Sequence, residues 1–581
     1  VNDRVPPWML RELGRAEGGA QTLGVLIAGQ RTRRLLLVRL LLDAVRAAPP
    51  TVLAPSAAAL AREHWALLEA ADRAAPDLAR ATLYYPLVGP WAERCVRLLT
   101  TPPHEMPPAP ADQAAPRIAD DLAHLGGLAV VAAARAGIGF RALLAVRDGW
   151  VPLPALGALR IRPHAEVPPA VAGPVSLAGQ AHPAVPAVPA APTGPAAPLE
   201  RVTRSGREPG ADPGPSASPG PSTSPTPSSG PGTDPVRGDA IDAPPRTAGN
   251  GPRGHPPHAP WPPDVAGPGP DYGPRPGPGR TVEVRGADGV LTVIGPGLPP
   301  VVLRPDGHGG WRSDDPRWHP AHALEEAPHR VVLDDSDPYR AVDNALKRHG
   351  LFAFGTLTPG EREQWQTMWR AALPMLTVGG QRPLVDAGLL DCVVPMTRPP
   401  EVPPRDGNGA HSSGTRREAF GAVLASAPSG PASLAATLVH ELHHAKLSAV
   451  SDLVPLHTAN SPRHYWAPWR PDARPFDGLL QGAYAHLALA DYWQRVALAP
   501  VGAELRDQAW AEHARCREQV GAILPTLSGS HQLTEPGRMV VNELAALHTR
   551  MKGKPPPARY LARAAAYVET ARLTWRRQHT R

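Results

Sequence analysis

One pentapeptide constrains this chain more than any other feature: His440-Glu441-Leu442-His443-His444. It reads H-E-x-x-H and follows a largely apolar run, Leu434 to Val439, that contains neither Pro nor Gly. On a helix, positions i and i+4 share a face, so His440 and His444 can turn a ring nitrogen toward one point. Two converging imidazoles begin a metal site, and the glutamate between them stays close to the metal. The segment is therefore expected to be a helix, and whatever packs over its histidine face has to complete the ligand set.

A zinc site or a facial iron site needs a third protein ligand. A thermolysin-like site takes a glutamate from a following helix, yet no Glu occurs between Glu441 and Glu504. The metzincin pattern needs a glycine and a histidine where Leu447 and Val450 stand. An aspartate-liganded zinc peptidase survives this elimination. The remaining candidates are His457, His464, Asp472, Asp477, His486 and Asp491. Gly478 to Arg495 reads as a helix on which Leu479, Gly482, Ala483, His486, Ala490 and Trp493 share one face, small enough for another helix to approach. His486 is the expected third ligand, with Asp491 next. The plainer alternative for His486 is a core histidine bonded to a carbonyl.

The 77 Pro and 55 Gly of the 581 residues are concentrated in the middle of the chain. Residues 164–280 have a Pro/Gly/Ser-rich composition that cannot bury a core, so a disordered insert is expected there. It separates a helical N-terminal half with short strands at its end (1–163) from an H-E-x-x-H catalytic half (281–581). In the first half, Thr22 to Ala47 reads as an amphipathic helix with its arginines outward. In the second, Thr281-Val282-Glu283-Val284 and Leu291-Thr292-Val293-Ile294 flank a hairpin turn at Ala287-Asp288-Gly289. Glu361 to Leu376 reads as a helix, and Phe420 to Ala425 as a strand shortly before the metal helix. The fold class expected is α+β and mostly helical, with a zincin-like H-E-x-x-H helix beside short strands.

Cys95, Cys392 and Cys516 are far apart and form no disulfide or zinc-ribbon pattern, which fits a reducing compartment. Val1 to Pro7 does not read as a signal peptide. Leu128 to Val146 is broken by Arg135, Gly137, Gly139 and Arg141, so a buried helix and strand are expected rather than a membrane span. The net charge of +7 comes from scattered arginines, without a basic block interleaved with aromatics. A cytoplasmic protein that binds neither nucleic acid nor membrane is expected.

His440 to Leu447, Asp452-Leu453-Val454-Pro455-Leu456, Tyr465-Trp466-Ala467-Pro468-Trp469-Arg470 and Gly478 to Leu487 together resemble the HExxH-motif domain of actinobacterial peptide-modification cassettes. That family is described as 2-oxoglutarate-dependent HExxH-type peptide β-hydroxylases. The resemblance extends through Leu333-Asp334-Asp335-Ser336-Asp337-Pro338-Tyr339-Arg340, Arg417-Glu418-Ala419-Phe420-Gly421 and, more weakly, Val151 to Gly157. It implies Fe(II), 2-oxoglutarate and O₂, a ribosomally made precursor peptide as substrate, and the other peptide-modifying enzymes of such a cassette as partners.

The distal carboxylate of 2-oxoglutarate calls for a bidentate arginine. Arg470, after the aromatic loop, is the first candidate, and Arg538 the second; a structural ion pair is the plainer alternative for either. Glu441 is a general base in a hydrolase and an orienting residue in an oxygenase. The strand Phe420 to Ala425, preceded by Ser412, Ser413 and Thr415, either pairs with a substrate peptide at its edge or is a core strand. Three functions stand at this point: iron- and 2-oxoglutarate-dependent β-hydroxylation of a precursor peptide, a zinc metallopeptidase trimming a leader peptide, or a non-catalytic peptide-binding scaffold with a structural metal.

Overall fold

The computed structural model describes residues 5–101, 118–161, 281–340, 356–380, 384–396, 412–459 and 464–579. The chain divides into two units, one made of Val1–Ala165 with Pro270–Arg581 and the other of Glu166–Gly269. The second unit, and with it the segment expected as a disordered insert, lies outside the described residues. The first unit is α+β and dominated by helix.

Its strands are β1 (Phe140–Ala145), β2 (Trp150–Leu153), β3 (Gly157–Arg160), β4 (Thr281–Ala287), β5 (Val290–Ile294), β6 (Val301–Pro305), β7 (Trp311–Arg312), β8 (Trp318–Pro320), β9 (His322–Glu326), β10 (His329–Leu333), β11 (Cys392–Met396), β12 (Ser413–Gly414) and β13 (Ala422–Ser426). They form three sheets, in the orders β1-β4-β5-β6-β7, β2-β3-β8 and β12-β13-β11-β10-β9. The parts of the chain before and after the insert share two of these sheets. β1 pairs antiparallel with β4 over the register Phe140↔Gly286 to Ala145↔Thr281, and β3 pairs with β8. At Gly286 an added Cβ would meet the Phe140 ring at 2.2 Å, so only glycine lets the aromatic ring lie over the strand. The β4–β5 hairpin turns at Asp288 and Gly289, both with positive φ, as the Asp-Gly signal requires.

The third sheet positions the site. β10, β11 and β13 run parallel, and β9 and β12 join antiparallel. Side chains alternate across a strand, and this sheet buries both faces. Leu333, Val393, Val423 and Ala425 enter one core with the helices Pro431–Leu453 and Phe476–Leu498. Val332, Cys392, Val394 and Leu424 enter another with N-terminal helices that include Ala20–Ala47, Val88–Thr100 and His124–Arg135. The expected strand Phe420 to Ala425 is thus β13, and it lies between β12 and β11. Both of its edges are taken, so it is a core strand and cannot accept a substrate peptide.

The outward arginine face expected of the helix Ala20–Ala47 fails at Arg34, which is 5% exposed. Its guanidinium donates to the carbonyls of Tyr84 and, at 2.8 Å, Phe420, and burial lowers its pKa to about 10. Nearby Asp391, raised to about 6 by burial, supports the charge. Arg34 therefore ties an N-terminal helix to the turn that enters β13. Arg34→Ala would leave two buried acceptors and a carboxylate uncompensated, and a loss of about 2–4 kcal/mol is expected in denaturant unfolding. A loss under about 0.5 kcal/mol would show that water replaces the guanidinium. Leu128 to Val146 forms the end of a buried helix and β1 as expected, and no helix among the described residues is long and apolar enough to cross a membrane.

Candidate metal centre

The H-E-x-x-H run lies in the middle of the helix Pro431–Leu453, which starts with Pro at its first turn and stops where Val454 turns extended before Pro455. Leu434, Leu438 and Leu442 hold the helix in the core. His440 and His444 leave it on the other side, with their Nε2 atoms 3.2 Å apart. Two imidazole nitrogens bound at about 2.0–2.1 Å to one metal stand about 3.3–3.4 Å apart in a tetrahedral site and about 2.9 Å at a right angle. The observed spacing falls between these values. Either one ring donates to the other, or both direct lone pairs at one cation.

The helix Phe476–Leu498 brings His486 to this pair, its ring centroid 5.1 Å from that of His440. His486 Nδ1 lies 2.9 Å from the Gly482 carbonyl and His444 Nδ1 lies 3.3 Å from Gln481 Oε1. If each Nδ1 carries the proton, each Nε2 offers its lone pair, which is how a partner behind a ligand fixes its tautomer. Gln481 is itself held by donation from its Nε2 to Ser448 Oγ at 3.2 Å. Burial, then the nearby Arg515, brings His486 down to about 3. Burial, followed by the neighbouring imidazoles, holds His440 well below the ordinary histidine range. Both rings are neutral at pH 7, the form that binds metal. Among the described residues, no group of three or more His, Cys, Asp or Glu side chains is closed into a ready-made metal cage. The donor chemistry nonetheless fits a divalent transition metal: three half-buried imidazoles meet at one cleft, and two of them bring their Nε2 atoms within 3.2 Å.

The second helix packs against the H-E-x-x-H helix as expected, with Leu479, Ala483 and Ala490 in the core shared with Leu434, Leu438 and Leu442. At Gly482 the face also admits the preceding loop: a Cβ there would meet the Trp469 indole at 2.3 Å. Trp469 stacks on His486 with centroids 4.6 Å apart and planes 22° apart, fixing the ring from its open side. His443 points elsewhere, fully buried, with Nδ1 2.6 Å from the Val439 carbonyl and Nε2 3.0 Å from the Ala16 carbonyl. It packs the N-terminal segment against the helix.

Glu441 is 3% exposed and accepts a hydrogen bond from Ser413 Oγ at 2.7 Å and another from the Thr415 hydroxyl. Burial raises its pKa against the opposing pull of His444 and these hydroxyls. A cleft of about 490 Å³ opens over the group; its lining includes Ser413, His440, Glu441, His444 and His486 together with Arg417, Arg470 and Arg474. Arg470 thus lines the cleft as expected of an anchor, while its Nε donates to Asp472 Oδ1 at 2.8 Å. Arg474, which the sequence did not single out, shares Asp472 at 3.4 Å and keeps a buried Nε with no hydrogen-bond partner.

The other candidates are engaged elsewhere. Arg538 donates to the Leu533 carbonyl at 3.3 Å and is not among the residues lining the cleft. Asp491 pairs with Arg495 at 2.7 Å, one turn along its own helix. His457 pairs with Asp477 at 3.2 Å, and His464 is exposed. Ser448 supports the site with no sequence signal to announce it; Trp469 and Gln481 fall in the segments that carry the resemblance, and Ser413 precedes the candidate strand, but the sequence assigns none of the three this role. No protein-family model matches the chain, and no curated protein matches it.

Proposed function

We propose that this chain is an iron- and 2-oxoglutarate-dependent hydroxylase acting at the β-carbon of a residue in a ribosomally synthesised precursor peptide, with a zincin-like metal helix. The observation that supports it best is the 3.2 Å pair of His440 and His444 with a third neutral imidazole, His486, beside it at the floor of one cleft. His440, His444 and His486 would hold the iron, leaving positions open for a bidentate 2-oxo acid. Bound iron supplies the O₂ chemistry that no side chain offers.

The protein's own groups do the rest. Arg470 and Arg474, which both line the cleft, are suited to the distal carboxylate of 2-oxoglutarate. Trp469 keeps water and rotation away from His486. Glu441, tied to Ser413 and Thr415, orients the floor of the cleft and need not take a proton. A peptide supplied by a ribosome and three buried free cysteines fit a reducing, cytoplasmic setting among other peptide-modifying enzymes.

One observation favours a second reading, a zinc peptidase: burial raises Glu441 toward the range of a general base. Anaerobic loading with Fe(II), then 2-oxoglutarate, O₂ and candidate peptides, separates the two. Succinate and a peptide heavier by one oxygen are expected; cleavage of the peptide by the zinc-loaded protein would overturn the hydroxylase. Glu441→Gln sharpens the contrast. A hydrolase would lose about a hundredfold or more in rate. The hydroxylase is expected to retain metal and succinate formation.

A further inference from the structure

We propose that the cleft takes its substrate as an extended polypeptide segment that adds as a strand to the outer edge of β12, with an acidic side chain at the Arg417 end. This deepens the reading above only in its peptide substrate; the binding mode itself requires no iron.

The edge follows from the ladder. Ser426 N donates to the Ser412 carbonyl at 2.9 Å, and Ser412 N donates to Ser426 Oγ at 3.0 Å. Ser413 lies opposite Ala425, and Gly414 opposite Leu424. Alternate residues of an antiparallel strand turn their backbone groups toward the partner. Ser412 and Gly414 face β13, so the N–H and C=O of Ser413 face away from it. Among the described residues no strand covers that side, and Ser413, Gly414 and Thr415 line the cleft. The Ser413 side chain is meanwhile fixed on Glu441, which sets this edge above the metal helix. An uncovered edge is a template for an incoming strand.

The charge pattern sets the chemistry of the guest. Asp452 accepts from Arg417 Nε at 2.9 Å and from Gln30 at 2.8 Å, and it lies 3.6 Å from Arg33. Among the described residues, Asp452 is the one carboxylate paired with both Arg417 and Arg33, which gives that end of the cleft a positive balance, and the Arg417 side chain is 56% exposed.

The test uses a fluorescein-labelled Thr-Val-Glu-Val-Thr-Val peptide, its Glu-to-Lys counterpart, and two analogues N-methylated on alternate residues. Each is titrated against the full chain by anisotropy without 2-oxoglutarate or O₂. The Lys peptide is expected to bind about tenfold more weakly or worse, and one N-methylated set to lose about tenfold while the other changes by less than about twofold. Arg417→Glu should reverse the Glu-over-Lys order at unchanged metal content. Absence of binding, equal binding of the Glu and Lys peptides, or equal loss from both N-methylated sets would overturn the proposal. Succinate formation, which scores the hydroxylase, plays no part in these readouts.

Discussion

Alanine at His440 or His444 is expected to leave the protein without stoichiometric metal. Each ring contributes one nitrogen of the 3.2 Å pair, and the other cannot make a chelate by itself. Occupancy after dialysis should fall from about one equivalent to background, with far-UV dichroism unchanged because Leu434, Leu438 and Leu442 hold the helix from its other face. His486→Ala should lose metal as well. Gln481→Leu, which removes the acceptor behind His444 together with the amide's bond to Ser448, should cost about 10–100-fold in affinity. His443→Ala is the control. That ring is buried between the Val439 and Ala16 carbonyls and Lys446, away from the cleft, so the variant should be less stable yet still bind metal. Metal content at the wild-type level in His440→Ala would reduce the helix to a structural element. Full occupancy in His486→Ala would remove the third ligand, and Asp491 could replace it only by leaving Arg495.

The elements of the site were legible in the sequence because their signals are local. The i, i+4 spacing puts His440 and His444 on one side of a helix, and the Asp288-Gly289 turn needs only its own two residues. What the sequence hid depends on partners far along the chain. Periodicity counts Arg34 among outward arginines, and its burial is set by a carbonyl at Phe420. Nothing within Phe420 to Ala425 indicates that both edges of β13 are filled, since β12 and β11 come from separate segments. Arg470 was legible as a cleft residue from its place after the aromatic loop. Its engagement with Asp472, and the unpartnered Nε of Arg474, come from the fold of that loop. Ser413 and Gln481 are ordinary polar residues until the fold sets them against Glu441 and His444.

Gly482→Ala is expected to damage the site as much as the loss of a ligand's support, although it adds one methyl group. The new Cβ would stand 2.3 Å from Trp469 Cζ2, 2.6 Å from Cε2 and 2.8 Å from Nε1, all atoms of a rigid ring. The indole has to move, and moving it removes the stacked wall from His486 while the Gly482 carbonyl still holds Nδ1. Overpacking of this kind costs about 1–3 kcal/mol, so a lower melting temperature should accompany weaker metal binding. Gly478→Ala is the matched comparison on the same helix. Its Cβ would meet Arg474 Nε at 3.0 Å, the end of a flexible side chain that can shift, so little change in stability is expected. A Trp469→Leu, Gly482→Ala double variant tests the cause. If the clash with the indole is the source, the methyl group should cost far less in the absence of the ring, giving a coupling of about 1 kcal/mol or more. Additive losses would mean that glycine is needed at position 482 for a backbone reason instead, and that Trp469 does not transmit the effect to His486.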